Sequence, residues 1–253
     1  MKHDVLTNLE RMLAGRGLRF AEGLCVSHGP FRAMTSGDKP AQCPLCAEAK
    51  DREASRARQM SLRVEAIRRG MGVPARFAGK GFRDWIADTA AKVAVRDAVA
   101  EYMRSIRMTP SQWRPLILTG LPGTGKTHLV CGLVANLAES GVSSRYTTLQ
   151  TMLSDIKSAY SDNTLTEAGQ ILRFVKVDVL VIDEADIGRW SENDKQLVFA
   201  VINGRYNDMR PTVIVSNQAP EGLAEILTDR VISRLSEGAL TLRCDWQDGR
   251  IAA

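Results

Sequence analysis

Nothing in the 253 residues approaches the roughly 18 uncharged apolar residues in a row that a membrane-spanning helix needs. The opening residues, MKHDVLTNLERML, carry acids and lack an apolar core followed by a small-residue cleavage site, which argues against a signal peptide. A soluble, cytoplasmic protein with no membrane partner is therefore expected. Cysteines are few, five in all, and three of them crowd into residues 25–46. In a reducing compartment such a cluster points to a metal rather than to disulfides. Cys131 and Cys244 sit in apolar, element-like contexts and are expected to be ordinary core residues. Internal repeats and low-complexity tracts are also missing.

What remains is ordinary globular composition, 44% hydrophobic and 25% charged, at a length that suits one medium domain plus a small accessory one. The formal charge of +5 is uneven: residues 1–110 hold 20 basic against 12 acidic side chains, residues 111–253 hold 14 against 17. A basic front half suits a phosphate backbone or an acidic protein, and charge alone does not choose between them.

Residues 4–14 read as a short amphipathic helix, residues 20–46 as a compact segment with glycines, prolines and the cysteine cluster, and residues 47–69 as a charged helix with Arg52, Arg56, Arg58, Arg63, Arg68 and Arg69. Gly70, Gly72 and Pro74 mark a junction, so a front domain over 1–70 and a second over 71–253 are expected. A helix over 89–107 precedes alternating strands (Leu116–Thr119, Arg145–Thr148, Val177–Ile182, Thr212–Ser216, Ala239–Arg243) and helices (126–140, 149–160, 167–175, 193–209, 221–236). That alternation predicts an α/β domain with a mainly parallel sheet covered on both faces.

The strongest signal is Gly120-Leu-Pro122-Gly123-Thr124-Gly125-Lys126-Thr127, a complete GxxxxGK[ST] match between an apolar strand and a helix. Its glycines let backbone N–H groups cradle phosphate oxygens, Lys126 reaches the β- and γ-phosphates, and the Thr127 hydroxyl suits Mg²⁺. The second half is VDVLVIDE, residues 177–184, which puts two carboxylates at the carboxyl edge of a buried strand. There Asp183 suits Mg²⁺ and Glu184 suits a general base toward the attacking water. Asn217, at the end of the Thr212–Ser216 strand, suits a γ-phosphate sensor or a plain turn residue. Arg230 and Arg234 lie four residues apart on one helical face, where one of them can reach a neighbouring subunit's phosphate.

Cys25-Val-Ser-His28 and Cys43-Pro-Leu-Cys46 form a second constellation. Three thiolates and one imidazole make a closed tetrahedral shell, the donor set of structural Zn²⁺, and the metal would supply much of this small segment's folding energy.

Taken together, these motifs resemble the DnaC-type AAA+ helicase loaders and their phage-encoded relatives, from about Gly72 onward. GVPARF and GFRDW resemble the segment that introduces the ATPase domain of that family. GLPGTGKTHL, with His128 trailing, resembles its Walker A, LVIDEADIG its Walker B, VIVSNQ its sensor 1 strand and DRVISRL its arginine-finger helix. The resemblance implies an AAA+ P-loop core with a five-stranded parallel sheet in the order 5-1-4-3-2, preceded by a small zinc-binding helical domain that engages the helicase. It makes Asn217 the sensor, Arg234 the finger and Arg230 its support. It also places single-stranded DNA contacts in the stretch after the second strand, where Lys157 and Tyr160 offer a cation and a stacking ring. The cofactors implied are ATP, Mg²⁺ and Zn²⁺. The partners implied are a replicative helicase hexamer, single-stranded DNA and further copies of the chain in a ring or spiral.

One departure from AAA+ proteins at large is a lack of room after the last candidate strand for a helical lid. Loaders of this type share it, initiators do not, and slow ATP hydrolysis by an isolated monomer is the expectation. An AAA+ helper of transposition, which binds duplex DNA and recruits a transposase, has nearly the same ATPase motifs and is the competing expectation. The cysteine module and the GVPARF junction favour loading.

Overall fold

A computed structural model describes residues 12–13, 15, 17–36, 39–108 and 114–247. The chain divides into two compact units, Met1–Leu62 and Arg63–Ala253. No helix among the described residues is long and apolar enough to cross a membrane. Most of the helix expected over residues 4–14 lies outside the described residues; Met12 and Leu13 are helical.

The compact cysteine segment of the front unit holds two strands that its sequence pattern does not announce. Strands β1 (Leu18–Cys25) and β2 (Gly29–Ser36) form an antiparallel hairpin, with Cys25 opposite Gly29 at its closed end. Its pattern was hard to read because only one face needs apolar residues, and the other mixes Glu22 and Arg32 with exposed Leu24 and Met34. The charged helix α1 spans Pro44–Gly70 and starts on a proline, whose missing N–H costs nothing in a first turn. It is exposed at nearly every described position, as a helix without an apolar stripe must be.

The second unit is built on a parallel sheet of β3 (Leu116–Gly120), β4 (Ser144–Thr148), β5 (Val179–Asp183), β6 (Thr212–Val215) and β7 (Leu240–Cys244). Their spatial order is β4-β5-β6-β3-β7, the expected 5-1-4-3-2. Alternate residues of β5 and β6 enter different cores, which is why these two strands read as continuous apolar runs. Val179, Val181, Val213 and Val215 join a core with α2 (Ala90–Met108) and α3 (Lys126–Glu139). Leu180, Ile182 and Ile214 join another with α4 (Leu149–Lys157), α5 (Glu167–Val175) and α6 (Glu192–Asn207), together with α7 (Pro220–Leu227) and α8 (Asp229–Ser236).

Several boundaries shift from the expectation by one to three residues, and two of the differences have a visible cause. The strand expected from Val177 begins at Val179, because the Asp178 carboxylate instead accepts from Ser143 N and Oγ at 3.0 and 2.9 Å. The helix expected over 221–236 breaks at Thr228, whose φ of 83° lies in the left-handed region. Leu223, Leu227, Val231 and Leu235 recur every fourth residue, a stripe that drifts around a continuous helix of 3.6 residues per turn. The break re-aims the second half, so all four are buried in one core.

Arg205 in α6 is fully buried, and its hydrogen bonds go to carbonyls and a hydroxyl rather than to a carboxylate. It donates to the carbonyls of Phe174, Val175, Val177, Asp178 and Pro211 and to the Thr212 hydroxyl. The guanidinium thereby closes the carboxyl end of α5 and the starts of β5 and β6, at the sheet end opposite the phosphate loop. Burial pushes its pKa down to about 9, which still leaves it charged at neutral pH.

Candidate functional site

The phosphate loop runs from the carboxyl end of β3 into α3, whose first residue is Lys126. Its conformation depends on Gly125 at φ 90°, where a Cβ would lie 2.6 Å from Trp85 Nε1. Trp85 Nε1–H donates to Gly125 O at 3.1 Å and Trp246 Nε1–H to Thr124 O at 2.9 Å, and the two indoles meet edge to face. The indoles thus tie down two loop carbonyls, and a loop of this kind binds an anion through its N–H groups. Neither tryptophan was singled out from the sequence. They come from opposite ends of the unit, and only GFRDW, read as a junction, hinted at one.

A cavity of about 800 Å³ lies over the loop, lined among others by Pro74, Phe77, His128, Tyr146, Glu184 and Asn217. Lys126 Nζ donates to Gly120 O, Leu121 O and Asn217 Oδ1 at 2.7, 2.8 and 3.0 Å. Asn217 is held in turn by Asp186, which accepts from its backbone N and its Nδ2. Asp186 is a further site residue not singled out from the sequence, where its third-acid place in DEAD was the available signal. His128 stacks obliquely on Phe77, ring centroids 5.7 Å apart, and partial burial with Lys80 nearby lowers its pKa.

Asp183 ends β5 and is buried. Its Oδ2 accepts from Thr127 Oγ1 at 2.8 Å and from Tyr146 OH at 2.9 Å, and its Oδ1 from Glu184 N at 2.8 Å. A hydroxyl and a carboxylate side by side are hard oxygen donors beside a phosphate loop, which fits Mg²⁺. Glu184 opens to the cavity with φ 54°, a left-handed turn that is costly for a non-glycine residue and common at functional sites. Desolvation, then Asp183 and Asp186, raise its pKa above the ordinary glutamate range.

The two arginines lie on α8, outside the cavity lining. Arg234 donates to Asn203 Oδ1 at 2.8 Å and sits over the rings of Phe199 and Tyr206, whereas Arg230 is exposed. Lys157 forms an ion pair with Asp194, the buried carboxylate that completes the capping box of Ser191 at the start of α6. Tyr160 is 58% exposed in the turn after α4 and hydrogen-bonds Glu167.

In the front unit the hairpin turn carries Cys25 and His28, and the start of α1 carries Cys43 and Cys46. One ligand atom from each lies within 4.8 Å of the others. Cys25 Sγ is 3.5 Å from Cys46 Sγ, and His28 Nδ1 is 3.6, 3.7 and 3.3 Å from the sulfurs of Cys25, Cys43 and Cys46. A tetrahedron with Zn–S of ~2.3 Å and Zn–N of ~2.0 Å has edges of about 3.5–3.8 Å, so the donor set fits zinc. The Ser27 backbone and then the His28 ring lower the Cys25 thiol to about 6, toward the thiolate a metal requires.

Residues 89–241 match the family of IstB-like ATP binding proteins. The chain belongs to this family. Among its relatives is the replicative helicase loader DnaC of Buchnera aphidicola subsp. Baizongia pistaciae, 27% identical over 200 residues, covering 78% of this chain and 80% of the relative. DnaC of Escherichia coli K12 is 29% identical over 135 residues, 53% of this chain and 55% of the relative, so the match spans about half of that loader. Among solved structures, the DnaC helicase loader superposes with a TM-score of 0.60 at 19% identity, covering 68% of this chain and 99% of that one. AMPPCP-bound DnaA from Aquifex aeolicus gives 0.59 at 18% identity, covering 69% and 52%. This IstB-like chain thus has the AAA+ fold and resembles the DnaC-type loaders.

The indole contacts carry an expected result. Trp246→Phe keeps a smaller aromatic ring but removes the N–H that holds Thr124 O. At about 1 kcal/mol for one hydrogen bond, ATP affinity should fall roughly fivefold by calorimetric titration. Wild-type affinity would show that the loop needs no such anchor.

Proposed function

We propose that the chain is an ATPase that loads a replicative DNA helicase. The observation that carries this is the juxtaposition of Lys126, Thr127, Asp183, Glu184 and Asn217 around one cavity, in a chain whose DnaC-named relative aligns over 78% of it. The loop N–H groups from Gly123 to Thr127 bind the phosphates, and Lys126 swings its ammonium from the loop carbonyls onto them. Thr127 and Asp183 hold Mg²⁺, which neutralises charge on the β- and γ-phosphates. Glu184, with its raised pKa, accepts a proton from the attacking water, and Asn217 orients that water while held by Asp186. Arg234 and Arg230, away from their own cavity, suit a neighbouring subunit's γ-phosphate in a ring or spiral. Exposed Tyr160 suits stacking on single-stranded DNA, whereas Lys157 must first give up Asp194.

The front unit is proposed to hold Zn²⁺ through Cys25, His28, Cys43 and Cys46 and to bind the helicase. Metal analysis of purified protein should return close to one zinc per chain, and less than about a tenth would defeat the ligand assignment.

The functional test is the mass, by light scattering, of a mixture with a replicative helicase, with and without ATP and Mg²⁺. A joint complex that is lost without residues 1–70 supports the reading. Filaments on duplex DNA that require ATP, with no helicase complex, would replace it with the transposition-helper reading.

A further inference from the structure

Tyr146 touches the nucleotide site from an unexpected side. It lies in β4, the edge strand of the sheet, and is 6% exposed. Three contacts run through it. Its phenol donates to Asp183 Oδ2 at 2.9 Å, and its backbone N donates to Met71 O at 2.7 Å. Its own carbonyl lies against Gly72, so closely that a Cβ there would sit 2.3 Å from Tyr146 O. Gly72 also has φ 66°, so both space and backbone conformation require glycine. The chain at residues 71–72 thus lies on the sheet edge as a short added rung, and residues 72–77 go on to line the nucleotide cavity through Gly72, Pro74, Arg76 and Phe77.

We infer that Tyr146 is a positioning residue for magnesium: its phenol fixes the rotation of the Asp183 carboxylate, and the Met71–Gly72 backbone fixes Tyr146. This rests on the proposed role of Asp183 as the magnesium ligand. A carboxylate turns freely about its last bond unless both oxygens are held. Here Oδ1 is held by Glu184 N, and Oδ2 by Thr127 and Tyr146. Thr127 is itself a proposed magnesium ligand, so once its hydroxyl turns to the ion the phenol is the side-chain donor left on Oδ2. Groups that orient a metal ligand in this way typically change metal affinity by about 10–100-fold when removed. A phenylalanine fills the same volume and removes only the donor, so packing is preserved.

The test uses the full chain and a fluorescent ATP analogue, bound first in EDTA and then across a magnesium titration. For Tyr146→Phe the magnesium midpoint should rise about tenfold, while affinity in EDTA and the unfolding midpoint stay near wild type. Gly72→Ala, which leaves the phenol in place and displaces the backbone behind it, should raise the midpoint in the same direction. An unchanged magnesium midpoint in Tyr146→Phe overturns the inference, and an unchanged one in Gly72→Ala overturns the part given to the Met71–Gly72 segment. Asp183→Asn separates the two levels: it should lose the magnesium response altogether. A wild-type response there would remove the magnesium assignment itself, and the inference with it.

Discussion

Lys126→Ala is expected to abolish ATP binding at micromolar protein, with at least a hundredfold loss of affinity by calorimetry. The ammonium is nearly buried and reaches Gly120 O, Leu121 O and Asn217 Oδ1. It is the cation at the start of α3, whose phosphate loop lines the same cavity, so phosphate oxygens there would meet charge and the donors of a helix N-terminus together. Hydrogen bonds between charged partners are worth about 1.5–3 kcal/mol each, and two of them correspond to roughly 10²–10⁴ in affinity. Alanine removes a lysine from the lining of a cavity of about 800 Å³ that water can fill, so the protein should still fold. Unchanged affinity in a folded mutant would remove the phosphate assignment.

The second large effect is on stability. Arg205→Met should leave the second unit unfolded or nearly so, with a loss above about 4 kcal/mol by denaturant unfolding. Methionine matches the stem but supplies no donors. The buried Phe174 and Val175 carbonyls and the Thr212 hydroxyl then lose this donor, as do the half-buried Val177, Asp178 and Pro211 carbonyls, of which Pro211 O keeps the Leu180 N–H. Each unserved buried polar group costs about 1–3 kcal/mol, and the sum exceeds any gain from removing a buried charge. A loss near 1 kcal/mol would mean that water serves those carbonyls, and that the arginine is not what closes this end of the sheet.

These two residues differ in how they could be read. Lys126 was visible because phosphate binding needs contiguous residues in one loop, and Asp183 because a buried apolar strand ends on it. The sheet order followed from the resemblance to AAA+ loaders, and the parallel sheet from alternating strands and helices. Arg205 lay unmarked within an expected helix, since its acceptors come from α5, β5 and β6, joined only by folding. The same holds for Trp85, Trp246 and Tyr146, which serve the site from three separate elements. The hairpin escaped because a two-stranded sheet with one solvated face leaves weak alternation, while its four metal-ligand positions stood out through their spacing. The break at Thr228 was hidden because nothing in its sequence marks a left-handed residue there.

The proposed function is that the chain, acting as an ATPase, places a helicase ring on DNA. The measurement that tests it most directly uses closed circular single-stranded DNA, onto which an intact ring cannot thread. With the protein, ATP and Mg²⁺ present, a replicative helicase should be recovered on the circle by gel filtration, and recovery should fall to background with Lys126→Ala. Helicase recovery that is the same with and without the wild-type protein would contradict the account.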